Sequence, residues 1–81
     1  MGAERFAMQV EVRLFAVFRQ GRFNRTEMDL PEGILLGDLI RQLEIPEKEV
    51  SLPLVNGQYS PLDRVLAAGD IVALFPAVGG G

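Results

Sequence analysis

Ala68-Gly69-Asp70-Ile71-Val72-Ala73-Leu74-Phe75-Pro76 is the stretch whose reading decides the architecture. From Ile71 to Phe75 every side chain is apolar. A glycine turn stands before the run, and after it comes a proline that cannot donate to a β-ladder. A short apolar run with such bounds reads as a strand, and its lack of alternation predicts a central strand covered on both faces. The rest of the chain must supply its neighbours.

The first neighbour is at the other end of the sequence. Met8, Val10, Val12, Leu14, Ala16 and Phe18 fall on one side of a period-two pattern, with Gln9, Glu11 and Arg13 on the other. That alternation predicts a half-buried strand. Phe15 and Val17 make the second side apolar as well, so this strand end is either covered twice or offered to an interface. Residues 1–7 carry no period and read as a flexible lead. Gly21 centres a turn into a second strand over Arg25–Leu30, with Thr26, Met28 and Leu30 inward, and Pro31-Glu32-Gly33 breaks the hairpin.

The chain's one helical period follows. Leu36, Leu39, Ile40 and Leu43 stand at i, i+3, i+4 and i+7, giving an apolar stripe on a helix near 36–45. Asp38 suits the positive end of the helix dipole, and Pro46 closes the segment. So short a helix must lie across a sheet. Leu52–Val55 then runs into Asn56-Gly57, a strong hairpin signal, and Gln58-Tyr59 leaves it. Ser60–Leu66 reads as irregular. Val10, Val12, Leu14, Leu39, Leu43, Leu54, Val72 and Leu74 are the expected core.

Composition narrows function. The chain has 81 residues, 48% of them hydrophobic and 23% charged, which suits one small folded domain and excludes intrinsic disorder. It has no Cys and no His, and so no disulfide, thiol nucleophile, zinc knuckle or imidazole base. Such a chain is poorly supplied for catalysis of its own, which favours a carrier, a subunit or a binding module. No apolar run approaches the roughly 18–20 residues of a membrane span, and no signal peptide is evident. Phe6 stands where N-myristoylation wants Ser or Thr. The expected compartment is the cytosol, with no membrane partner.

Charge is uneven. Arg5, Arg13, Arg19, Arg22 and Arg25 outnumber Glu4 and Glu11 in the first 25 residues, whereas residues 26–81 are strongly acidic, leaving a net charge of −3. Nucleic acid is therefore not the expected partner, and Arg19, Arg22 and Arg25 read as a solvated loop. Asp63 and Asp70 border turns, where Asp bonds backbone, and Glu44, Glu47 and Glu49 read as solvated surface. Val50-Ser51-Leu52 superficially suggests a phosphopantetheine carrier. However, Ser51 is followed by Leu52-Pro53 and sits among strand periods, whereas those carriers are helical bundles.

After Phe75 the sequence reads Pro76-Ala77-Val78-Gly79-Gly80-Gly81. The plain reading is a flexible terminus. A diglycine, lacking Cβ, can also thread a channel too narrow for other residues. Residues 76–81 can extend up to roughly 20 Å at about 3.3–3.6 Å each, far enough to place an α-carboxylate in another protein's active site. That carboxylate is a poor electrophile until another enzyme activates it, for example as an acyl-adenylate.

The element order β-β-α-β-β with the apolar strand last is the pattern of a ubiquitin-like β-grasp. This is an α+β fold with a mixed four- to five-stranded sheet and one main helix across it, spanning 8–76, with 77–81 as a flexible tail. Several motifs from Met8 onward resemble the MoaD/ThiS family of ubiquitin-like sulfur carriers, most closely the MoaD small subunits of molybdopterin synthase. These are the VRLFAVFR strand, the LGDLIRQL helix, the LPLVNG turn, the AAGDIVALFP run and the closing LFPAVGGG. The resemblance implies a carrier rather than an enzyme, with no bound cofactor. A MoeB/ThiF-type adenylyltransferase, related to ubiquitin-activating enzymes, would use ATP to adenylate Gly81, with Gly80 and Gly79 in its channel. A sulfurtransferase would then form a thiocarboxylate. The sulfur would pass to a pterin precursor on a larger MoaE-type subunit or, in the ThiS branch, to thiazole synthase.

Phe75 matches the aromatic that docks such carriers, and Phe15 and Val17 supply further apolar surface for a partner. Two departures stand out. The chain ends in three glycines rather than two, reconciled if Gly79 replaces the variable residue before the diglycine. Ala77 stands where a second proline is usual. A protein modifier of the same fold, conjugated to lysines, or a plain interaction module would carry an identical tail.

Overall fold

Five strands and one α-helix make up the computed structural model, which describes residues 7–77. β1 spans Ala7–Leu14, β2 Arg25–Pro31, α1 Leu36–Gln42, β3 Val50–Val55, β4 Gln58–Tyr59 and β5 Ile71–Pro76, with short 3-10 turns at Ala16–Arg19 and Glu47–Glu49. The strand order is β2-β1-β5-β3-β4. β5 runs parallel to β1 and antiparallel to β3, so the sheet is mixed and β5 lies at its centre. This is the expected β-grasp arrangement, with the first and last strands side by side.

The core forms where the inward sides of the strands meet the helix stripe. Val10, Val12, Leu14, Leu30, Val55, Val72 and Leu74 from the sheet pack with Leu36, Leu39, Ile40 and Ile45. Asp38 accepts a hydrogen bond from the Leu35 backbone N–H at 3.1 Å, which satisfies one of the donors a helix start leaves free. At the other end Arg22 donates to the carbonyls of Leu43 and Glu44 at 3.0 and 3.1 Å, a cation placed at the negative end of the helix. Arg22 thus caps the helix while remaining exposed in the solvated loop expected of it. The Asn56-Gly57 turn has φ of +54° and +84°, as the β3–β4 hairpin demands.

Asp70 is the structural linchpin of the β5 entry. Only 7% exposed, its carboxylate accepts from the Asn56 side-chain amide at 2.9 Å and from the Ala67 N–H at 2.8 Å. Asn56 in turn exchanges two bonds with the Ile71 backbone, accepting at 2.9 Å and donating at 2.7 Å. One polar cluster thus ties the β3–β4 turn to the start of the central strand.

Five details depart from expectation. β1 stops at Leu14 rather than continuing to Phe18, because Ala16 takes a left-handed φ of +56° and opens a 3-10 turn. Ala7 belongs to β1, not to the lead. α1 ends at Gln42 because Leu43 is its C-cap and Glu44 is left-handed at +62°, so Leu43 is only half-buried and Ile45 takes its place in the core. The register of β3 shifts between Val50 and Leu52, and Pro53 and Val55 point inward while Leu54 is half-buried on the other side. Finally, β5 is central but covered on one face only, with Ile71, Ala73 and Phe75 all half-buried.

Candidate functional site: the open face at the root of the tail

Residues directly opposite one another on neighbouring strands share a face of the sheet. The register therefore assembles the uncovered face row by row. Arg25, Arg13, Ala73, Leu54 and Tyr59 form one continuous row across all five strands. The next row toward the tail pairs Phe75 with Leu52. Phe15, which follows the Leu14–Leu74 pair, completes it: the Phe15 and Phe75 rings stack at 4.1 Å between centroids and 11° between planes. Phe75 is the second-last residue of β5, so this aromatic pair sits where the chain leaves the sheet for its glycines.

Local geometry explains how Phe15 reaches that position. Left-handed Ala16 turns the chain out of β1 directly after Phe15, and the 3-10 turn that follows carries Val17 to 55% exposure while Phe18 returns to the core. Arg19 closes the arrangement. Its Nε donates to the Leu14 carbonyl at 2.6 Å, and its guanidinium lies 5.0 Å from the Phe15 ring centroid, within cation–π range.

The patch is apolar and only partly covered, with Leu52 and Tyr59 also exposed. Clustered apolar exposure of this kind makes this face the candidate interaction site. Phe15, Val17 and Phe75 are thus brought to one end of the sheet. Gly79, Gly80 and Gly81 lie outside the described residues. Sequence reasoning missed Leu52, Leu54 and Tyr59 as parts of the face, and the signal that would have found them was the pairing of β3 with β5 through the tight Asn56-Gly57 hairpin.

Residues 12–81 match the ThiS family. The chain belongs to the ThiS family. A protein described as molybdopterin converting factor subunit 1 from Pyrococcus furiosus is 36% identical, with a TM-score of 0.70 over 88% of this chain and 99% of that one. Small archaeal modifier protein 1 from H. volcanii is 26% identical, with a TM-score of 0.71 and the same shares covered, 88% and 99%. The complex of molybdopterin-converting factor subunits 1 and 2 from Helicobacter pylori 26695 contains a chain 25% identical, with a TM-score of 0.59 over 91% of this ThiS-family chain and 100% of that one. No curated protein sequence gives a significant match.

Proposed function

We propose that this ThiS-family chain is a cytosolic sulfur carrier that does no catalysis itself. The observation that carries the reading is the stacked Phe15–Phe75 pair, half-open to solvent, at the point where the sheet hands over to the glycine tail. A domain that docks through this patch holds the tail at a fixed distance, and Gly79 and Gly80 fill a channel that admits only bare backbone. A carboxylate oxygen of Gly81 attacks the α-phosphorus of ATP in an adenylyltransferase and pyrophosphate leaves. The outer sulfur of a sulfurtransferase persulfide then attacks the acyl carbon, and AMP leaves as an acyl disulfide forms. A thiol reductant attacks the sulfurtransferase sulfur and the S–S bond breaks. A thiocarboxylate is released, while the thiol and the sulfurtransferase are left as a mixed disulfide. With no Cys in the sequence, that terminus is the group suited to carry sulfur.

Molybdopterin formation is the preferred destination, with a larger synthase subunit as the receiving partner. Its support is the likeness to subunit 1 proteins from P. furiosus and H. pylori, the latter in complex with subunit 2. Thiazole synthesis is the alternative within the same chemistry. A second reading, a modifier joined to lysines of other proteins, draws on the likeness to the H. volcanii modifier, whose TM-score of 0.71 matches the 0.70 of the P. furiosus protein although its identity is lower, 26% against 36%. Intact mass spectrometry after incubation with the cognate adenylyltransferase, ATP and a sulfur source tests both. A gain matching exchange of oxygen for sulfur at the C-terminus supports the carrier. Isopeptide conjugates without that gain support the modifier, and an unchanged mass refutes both.

A further inference from the structure

The open face is graded from apolar to basic to acidic. The aromatic row of Phe15, Phe75 and Leu52 comes first, then a row that begins with Arg25 and Arg13, and beyond it Glu11 opposite Glu27. Arg13 and Arg25 face each other directly across the β1–β2 pair, an arrangement that is unfavourable for like charges. One carboxylate serves both: Glu11 Oε2 is 2.5 Å from Arg13 Nε and 3.7 Å from Arg25 Nε. Neither cation is buried by this. The Arg25 side chain stays 67% exposed and that of Arg13 39%. Arg19, over the Phe15 ring, adds a third guanidinium beside the aromatic pair. Three cations thus flank the apolar patch in a chain whose net charge is −3.

We propose that Arg13 and Arg25 are specificity residues for a protein partner that presents carboxylates beside an apolar hollow, so that the partner's acids meet the arginine row when the hollow receives Phe15 and Phe75. The identity of that partner, the activating adenylyltransferase, rests on the carrier reading; the chemistry of its surface rests on the gradient alone. Complementary charge of this kind acts mainly on encounter and orientation, and the apolar centre acts on residence time. Because the basic row lies on one side of the aromatic row only, it also fixes the rotation of the domain as it docks. That in turn aims the tail. A polyanion is a poorer occupant, since the acidic row and the acidic remainder of the chain repel it.

The test is stopped-flow association of the full-length chain with the adenylyltransferase of the same organism, across a salt series, using Arg25→Glu, Arg25→Gln and Phe75→Ala. Melting curves check that the exposed substitutions leave the fold intact. Arg25→Glu should slow association about tenfold at low salt, with Arg25→Gln between it and wild type. The difference should vanish near 1 M salt, where screening acts over about 3 Å. Dissociation of the Arg25 variants should stay near the wild-type rate, whereas Phe75→Ala should dissociate faster.

An Arg25→Glu association rate within twofold of wild type at low salt, with Phe75→Ala still impaired, overturns this proposal and leaves the carrier reading standing. Failure of the wild-type chain to bind the enzyme overturns both. A labelled single-stranded RNA oligonucleotide that binds wild type but not Arg25→Glu also overturns the proposal, because it assigns the arginines to nucleic acid.

Discussion

Asp70→Ala should be among the costliest single changes outside the apolar core. The carboxylate is 7% exposed and accepts two hydrogen bonds, from the Ala67 N–H at 2.8 Å and from the Asn56 amide at 2.9 Å. Alanine leaves both donors without that partner. An unsatisfied buried donor costs about 1–3 kcal/mol. Ala67 and Asn56 are both exposed residues, so water reaches each donor in part and each takes the low end of that range. The sum is about 2 kcal/mol, or a fall in Tm of about 8–16 °C at roughly 4–8 °C per kcal/mol for a domain of this size.

Urea unfolding followed by far-UV circular dichroism measures the loss, with Asp70→Asn as an isosteric control that keeps one acceptor and should lie between. A cycle with Asn56→Ala should return a coupling of about 1 kcal/mol, the share of the bond the two residues make together. A loss below about 0.5 kcal/mol for Asp70→Ala, or no coupling in the cycle, would refute the view that this cluster anchors the central strand.

Leu39→Ala, at a fully buried position, should destabilise by about 2–5 kcal/mol in the same assay, and a loss under half a kcal/mol would mean that α1 does not face the sheet. Gly57→Ala should cost about 1–2 kcal/mol by thermal melting from its φ of +84° alone, since an added Cβ meets nothing within 4 Å. Deleting Gly80 and Gly81 should leave the melting curve unchanged and abolish ATP–pyrophosphate exchange with the cognate adenylyltransferase, because the carbonyl would stop about 7 Å short at roughly 3.5 Å per residue. Wild-type exchange by the truncated chain would sink the carrier mechanism. A bulky residue in place of Gly80 should impair exchange without affecting stability, because its Cβ must enter a channel shaped for bare backbone.

Much of the fold was legible because the strands carry their periods openly. The alternation from Met8 to Leu14, the Asn56-Gly57 turn and the unbroken Ile71–Phe75 run each specify an element and, together, their order. The errors fall where backbone conformation overrides pattern. Nothing in the residue types of Ala16 or Glu44 announces a left-handed φ, yet these two positions end β1 and α1 earlier than the apolar spacing suggests. The apolar sequence places Leu54 in the core, whereas in the register of β3, which shifts near Leu52, Leu54 lies opposite Ala73 on the open face, and a single-residue slip exchanges the two faces. The apolar composition of β5 implies cover on both faces, but its second face, with Ile71, Ala73 and Phe75, is only half-buried. Phe15 and Phe75 were each visible as candidates. Their stacking was not, since it depends on a parallel register between segments at opposite ends of the chain.

That parallel register also sets when the molecule can exist as a folded body. Glu11 pairs with Ile71, so the centre of the sheet closes a loop of nearly the whole domain. Contacts of such long sequence separation slow folding. On the ribosome the β1–β2 hairpin emerges with its apolar side bare and must await β5, the last strand among the described residues. At roughly 5–20 residues per second the residues between Glu11 and Ile71 take about 3–12 s to appear. The domain therefore cannot assemble piecemeal as it is made. Its core closes only once synthesis has delivered β5, so the stacked Phe15–Phe75 face and the root of the C-terminal segment come into being in the same event.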